Sequence, residues 1–96
     1  MPFRLLFQPI AEEALDRLDR EDARKLKRVH KCLGLLEANP RHPGLNSHRY
    51  EDLDDVHGEK IWESYVENRT PGAYRVFWHY GPESGEITVI AVTPHP

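Results

Sequence analysis

Residues 73–96 read AYRVFWHYGPESGEITVIAVTPHP, and this stretch decides the fold. Tyr74, Val76, Trp78 and Tyr80 alternate with Ala73, Arg75, Phe77 and His79, the period of two that sends successive side chains to opposite faces of a strand. Gly81-Pro82-Glu83-Ser84-Gly85 interrupts the pattern with two glycines and a proline, which suits a hairpin turn. Residues 86–93 form a second run rich in β-branched side chains, and His95 follows between two prolines. The hairpin thus carries an apolar face together with Arg75, His79 and His95, the side chains most capable of chemistry.

Upstream, residues 60–67 (KIWESYVE) read as another strand, residues 47–53 as a short or irregular one, and residues 2–7 as an opening strand with Phe3, Leu5 and Phe7 in alternation. Between the opening strand and these lie two helical patterns. Pro9 suits a first helical turn, and Ile10, Ala14, Leu15 and Leu18 recur at helical spacing. A polar break is expected around residues 19–22, with Asp22 as the N-cap of the next helix. That helix covers residues 23–38, with Ala23, Leu26, Val29 or His30, Leu33 and Leu36 on one stripe. Asn39-Pro40 ends it. Residues 41–46, with their Pro43-Gly44 turn, and residues 67–72 are connecting loops. The order predicts one α+β domain over residues 1–96, with a helix hairpin packed on one face of a mainly antiparallel sheet.

Ninety-six residues, 39% hydrophobic and 30% charged, support one core and exclude a disordered chain. Cys32 is the single cysteine, so no internal disulfide forms, and its place in the second helix makes it a core thiol. No apolar run approaches the roughly 20 residues that span a bilayer, and with the lone thiol this implies a cytoplasmic protein. The net charge of −3 excludes a generic nucleic-acid binder. Charge is uneven: residues 24–31 hold five basic side chains and no acid, whereas residues 51–59 hold Glu51, Asp52, Asp54, Asp55 and Glu59. Each run reads as a solvated face, or as a basic patch and an acidic loop for partners.

The AEEALDRL helix, the LLEANPRHPGL helix end, the KIWESYVE strand, the AYRVFW strand with its Tyr-Arg pair and the closing VIAVTPHP resemble, in this order, the RelE/ParE superfamily. These are toxins of bacterial type II toxin–antitoxin systems. The resemblance spans essentially the whole chain and implies a RelE-like fold, an antitoxin partner, and a homodimer or a toxin–antitoxin hetero-oligomer. In the ribonuclease branch it implies metal-independent cleavage of mRNA, usually on the ribosome, which inhibits translation and needs no cofactor. That chemistry takes a base for the ribose 2′-hydroxyl, an acid for the leaving 5′-oxygen and cations for the phosphate.

On this resemblance Arg75 holds the scissile phosphate, His95 is the acid or base, and His48 is similar in placement to a histidine of some members. Lys60 and Arg69 add charge along the RNA backbone, His79 shares the Arg75 face, and Tyr65 and Tyr80 offer rings on which bases stack. Arg75 can instead pair with Glu63 or Glu86 across the sheet, and Trp62 and Trp78 read as core. The six histidines show no recognised metal-ligand spacing. The chain also departs from the ribonuclease branch. It is acidic, Tyr65 stands where relatives often hold arginine, and no glutamate matches the general base that some members of that branch place shortly before the His48 position. Those departures keep two alternatives open: a ParE-type toxin that inhibits DNA gyrase without cutting RNA, or a non-toxic member that only binds protein partners.

Overall fold

The computed structural model describes residues 2–54 and 58–95; Asp55 of the acidic run and Pro96 lie outside the described residues. The elements are β1 (Arg4–Phe7), α1 (Pro9–Glu21), α2 (Ala23–Ala38), a 3-10 turn (Pro43–Leu45), β2 (His48–Asp54), β3 (Lys60–Tyr65), β4 (Tyr74–Tyr80) and β5 (Glu86–Pro94). The strands form one five-stranded sheet in the order β1-β5-β4-β3-β2. Only β1 runs parallel to its neighbour β5; the other pairs are antiparallel. A parallel pair needs a long crossover, and between β1 and β5 the chain supplies both helices and three strands.

The hairpin expected over residues 73–96 is the centre of this sheet. Its turn places Gly81 and Gly85 at φ +103° and +80°, values that side chains with a Cβ rarely adopt. Gly81 N–H donates to Glu86 O at 2.8 Å and closes the turn.

The helices cover one face. Val76 and Trp78 of β4 and Ile87, Val89 and Val92 of β5 meet Ala11, Leu18, Val29, Cys32, Leu33 and Leu36 in the core. Cys32 is the core thiol its helical position implied, and burial pushes its pKa up to about 12. Trp78 is fully buried, with Trp62 stacked against it at 5.8 Å.

Three expectations shift. The helical pattern does not stop at residue 19: α1 runs through Glu21, and Asp22 alone makes the break. At φ −154° Asp22 ends α1, and its carboxylate caps α2 by accepting from Lys25 N–H at 3.0 Å. Ile10 is 62% exposed while Ala11 is fully buried. The buried stripe of α1 is therefore Ala11, Ala14, Leu15 and Leu18, the spacing of one helix face. Finally, β3 ends at Tyr65 rather than at residue 67, and the chain turns so that Glu67 meets α2.

Candidate functional site

Arg75, Phe77 and His79 point away from the helices, and β3 and β2 bring other side chains to the same outer face. Tyr65 pairs directly with Arg75 and Glu63 with Phe77 across β3 and β4, while His48 of β2 pairs with Glu63. His95 reaches this face through an irregularity. Phe77 pairs with Ala91 but Trp78 with Val89, so one extra residue sits in β5. A bulge of this kind reverses the alternation beyond it. Val92 thereby turns into the core, and Thr93 and His95 turn to the side of Arg75. His95 N–H donates to Ala73 O at 2.7 Å and holds the segment in place.

Glu63 is the hub. Its side chain is almost fully buried, with His48 Nε2 2.8 Å from Oε1 and Arg75 Nε and His95 Nε2 at 3.7 and 4.0 Å from Oε2. Arg75, 7% exposed, is held on three sides. Its guanidinium carbon lies 3.8 Å from the centroid of the Tyr65 ring, and Nη1 donates to the main-chain oxygens of Glu67 and Tyr74 at 2.9 and 3.2 Å. The His48 ring meets Tyr65 edge-on at 5.6 Å, and its Nδ1 lies 3.0 Å from Asn46 O. His48 and His95 stay about half exposed. A cation, two imidazoles reachable from solvent and a carboxylate thus share one patch, the residue types that acid–base chemistry at a phosphate requires.

The fold that carries this cluster is similar to that of several solved structures. Solved structures similar to the chain include a YoeB/ParE toxin from Agrobacterium tumefaciens (13% identity, TM-score 0.73, covering 97% of this chain and 99% of that one). Another is a YoeB dimer from Staphylococcus aureus (13% identity, TM-score 0.71, both chains covered in full). A third is an archaeal RelE–RelB complex from Pyrococcus horikoshii (17% identity, TM-score 0.67, covering 98% and 96%). The chain has the RelE-like fold. No protein-family model and no curated protein sequence matches it.

In this RelE-like sheet the residues expected at the site divide. Arg75, His95, His48 and Tyr65 come together around Glu63. His79 lies on the same face, 6% exposed, with Nδ1 2.8 Å from Tyr80 O. Lys60 is exposed at the start of β3, and Arg69 is exposed in the β3–β4 loop in a left-handed conformation (φ +57°); neither makes a described contact with the cluster. Tyr80 belongs to the opposite face, packed against Phe3, Trp62 and Trp78. Glu63 figured in the sequence only as a possible ion-pair partner of Arg75, and no signal there marks it as the hub. Glu86, the other possible partner, lies beside Arg4 instead at 3.9 Å.

The basic run of α2 is partly spent inside the molecule. Lys25 and Arg28 both bind the Glu67 carboxylate, which also accepts from Tyr74 N–H at 3.3 Å. Burial alone would raise the Glu67 pKa, but the hydrogen bonds from Lys25, Arg28 and Tyr74 outweigh it and hold the group below the usual 4.5. Glu67 therefore links α2 to the backbone that supports Arg75. Arg24, Lys27 and Lys31 remain exposed. Among the described residues no helix is long and apolar enough to cross a membrane, and no group of His, Cys, Asp or Glu is arranged to hold a metal.

Proposed function

We propose that the chain is the toxin of a toxin–antitoxin pair and acts as an endoribonuclease on mRNA at the ribosome. The observation that supports this reading is the convergence of Arg75, His48 and His95, from three separate stretches of sequence, around one buried carboxylate. In this reading Arg75 faces the scissile phosphate, and the imidazole and carboxylate groups move the protons of a transesterification by the ribose 2′-hydroxyl. Tyr65 presents an aromatic face beside Arg75 for a flanking base. The partner is an antitoxin carrying an acidic segment, which the exposed Arg24, Lys27 and Lys31 of α2 suit by charge. Similar folds are described as a RelE–RelB complex, a YoeB–YefM complex and a YoeB dimer, which supports an antitoxin complex or a homodimer here, in the cytoplasm.

The test is growth after induced expression of the wild type, Arg75→Ala and His95→Ala, with mRNA ends mapped by primer extension. Growth arrest with discrete cuts that both substitutions remove is the expected result. Growth arrest with intact mRNA overturns it.

One observation favours a second reading, a ParE-type toxin that inhibits DNA gyrase and cuts no RNA. Arg75 is 7% exposed, its face lies on the Tyr65 ring and its Nη1 donates to main-chain oxygens, which leaves little of the guanidinium for a phosphate to reach. Inhibition of gyrase supercoiling by the purified chain is the result this second reading requires.

A further inference from the structure

Three surface hollows at the far end of β4 from Arg75 share one wall, Tyr80. Tyr80 is 39% exposed, and its ring stands at 81° to that of Trp62, with 6.1 Å between centroids. Trp62 is half-buried and is backed by Trp78, stacked on it at 5.8 Å and 17°. The two outer rings therefore make a right-angled aromatic corner that core packing holds in place. A flat ring fits such a corner, lying on one π-face with its edge towards the other.

Charge separates the three hollows. In one, Lys60 has Glu59 beside it, and another is lined by Glu83 and Glu86. The third, of about 460 Å³, lies between the aromatic corner and the loop of residues 40–47. That volume is in the range of small-molecule sites, and the described lining holds Arg41 and no acid. Arg41 is exposed, and its guanidinium makes no hydrogen bond or ion pair among the described residues.

Two more donors join Arg41 there. Gly44 N–H donates to His42 Nδ1 at 2.9 Å, so the ring hydrogen of His42 is on Nε2. Trp78 Nε1–H donates to Ser64 Oγ at 2.8 Å, and the fully buried Ser64 has Ser47 Oγ, 2.6 Å away, as the described acceptor for its own hydrogen. The Ser47 hydrogen is then left for the hollow that Ser47 lines, and each bond in this chain polarises the next. The loop itself is preformed. His42 N–H donates to Asn39 O at 2.8 Å and Leu45 N–H to His42 O at 3.0 Å, so little freedom is lost on binding. A guanidinium, an imidazole N–H and a hydroxyl without an acid among them suit an oxyanion.

From this geometry we infer that the hollow binds a nucleoside 5′-phosphate, with the base in the Trp62–Tyr80 corner and the phosphate on Arg41, His42 and Ser47. The ligand is a free nucleotide or one residue of single-stranded RNA, since both present an aromatic base and a phosphate. A phosphate monoester brings three terminal oxygens to the three donors, where a carboxylate brings two. Trp62 and Tyr80 stand on the opposite face of the sheet from Arg75, so this site is separate from the Glu63 cluster and does not rest on what that cluster does.

The test titrates the purified chain with adenosine 5′-monophosphate (AMP), adenosine, N-acetylphenylalanine and a short single-stranded RNA, reading tryptophan fluorescence. Amide and indole chemical shifts locate the bound AMP. AMP is expected to quench the fluorescence saturably and to move the signals of residues 41–47 and of the Trp62 indole, leaving Arg75 and His95 in place. Arg41→Gln should weaken AMP by about tenfold, as for loss of a hydrogen bond to a charged group, and leave adenosine unchanged. Tyr80→Leu should weaken both by about tenfold, the scale of one base stacked on one ring. Arg41 is exposed and unpaired, so its variant decides the question even where Tyr80→Leu lowers the melting temperature. RNA that displaces AMP supports the site with the strand as its source, and AMP binding that RNA does not displace supports it with the free nucleotide. No saturable binding of AMP or RNA, AMP shifts confined to Arg75 and His95, or tighter binding of N-acetylphenylalanine than of AMP overturns the assignment.

Discussion

Arg75 and Tyr65 are direct partners across β4 and β3, and the guanidinium carbon lies 3.8 Å from the centre of the phenol ring. A cross-strand pair on a sheet face brings its side chains into contact, and here the contact is between a cation and a π-face in a nearly dry setting. Tyr65→Phe keeps the ring and should leave stability within about 0.5 kcal/mol, the ordinary range for a change that removes no packing. Tyr65→Leu removes the face and should cost about 2 kcal/mol, as expected for a desolvated cation–π contact. Urea denaturation of the two variants beside the wild type measures the difference.

Removing the cation itself has a larger effect for a separate reason. Glu63 is 3% exposed and lies beside Arg75, His48 and His95. Arg75→Met leaves the buried carboxylate with less compensation and should destabilise by about 3–5 kcal/mol, the usual cost of breaking a buried pair from one side. Adding Glu63→Gln removes the stranded charge and should recover part of that loss. A double-mutant cycle by thermal or urea unfolding reads the coupling, and additive losses would mean that the two side chains do not interact.

Glu67 supplies a pH dependence whose sign is fixed. Its pKa in the folded chain is lowered below 4.5 by hydrogen bonds from Lys25, Arg28 and Tyr74 that outweigh its burial. The unfolded chain therefore binds this proton more readily than the folded one. The stabilisation is fully present above the unfolded pKa and is lost as pH falls from there through the lower folded value. Glu67→Gln should lower stability at neutral pH by about 1.5–3 kcal/mol, the range for hydrogen bonds to a charged group. It should also flatten the wild-type decline in acid. Melting temperatures from neutral pH down to pH 3 check both effects, and parallel curves for the two proteins would refute the linkage.

The sequence made the hairpin, the helix pair and the Asp22 cap legible because each rests on local rules: alternation, 3.6-residue spacing and a side chain able to cap. It placed Arg75, Phe77 and His79 on one face for the same reason. What it hid depends on register. Residues 89–92 are four apolar side chains in a row (VIAV), so alternation has no phase there. The extra residue that turns His95 towards Arg75 leaves no mark in the sequence. Glu63 was equally hidden, because a carboxylate in a half-polar strand looks solvated until three distant segments close over it. Residue type alone suggests Tyr80 and Lys60 as substrate contacts beside Arg75, but Tyr80 lies on the Trp78 face, where the alternation itself puts it, and Lys60 stands exposed at the strand end.

The core beneath the site contains one polar chain that carries a specific cost. Trp78 is fully buried, and its Nε1–H donates to Ser64 Oγ at 2.8 Å, while Ser64 Oγ and Ser47 Oγ lie 2.6 Å apart. Ser64 is itself fully buried, so Ser64→Ala leaves the indole N–H in a dry place with no acceptor. The expected loss is about 1–3 kcal/mol, the desolvation cost of one unmet donor. Ser47→Ala should cost less, because Ser64 then still accepts from Trp78. The stacking of Trp62 on Trp78 at 5.8 Å provides a local readout, since any rotation of the Trp78 indole changes the coupling of the two rings in near-ultraviolet circular dichroism. Loss of stability in Ser64→Ala with an altered spectrum, and a smaller loss in Ser47→Ala with the wild-type spectrum, is the expected pattern. Equal losses would place the hydrogen bond between the two serines, rather than the one to the indole, at the centre of this packing.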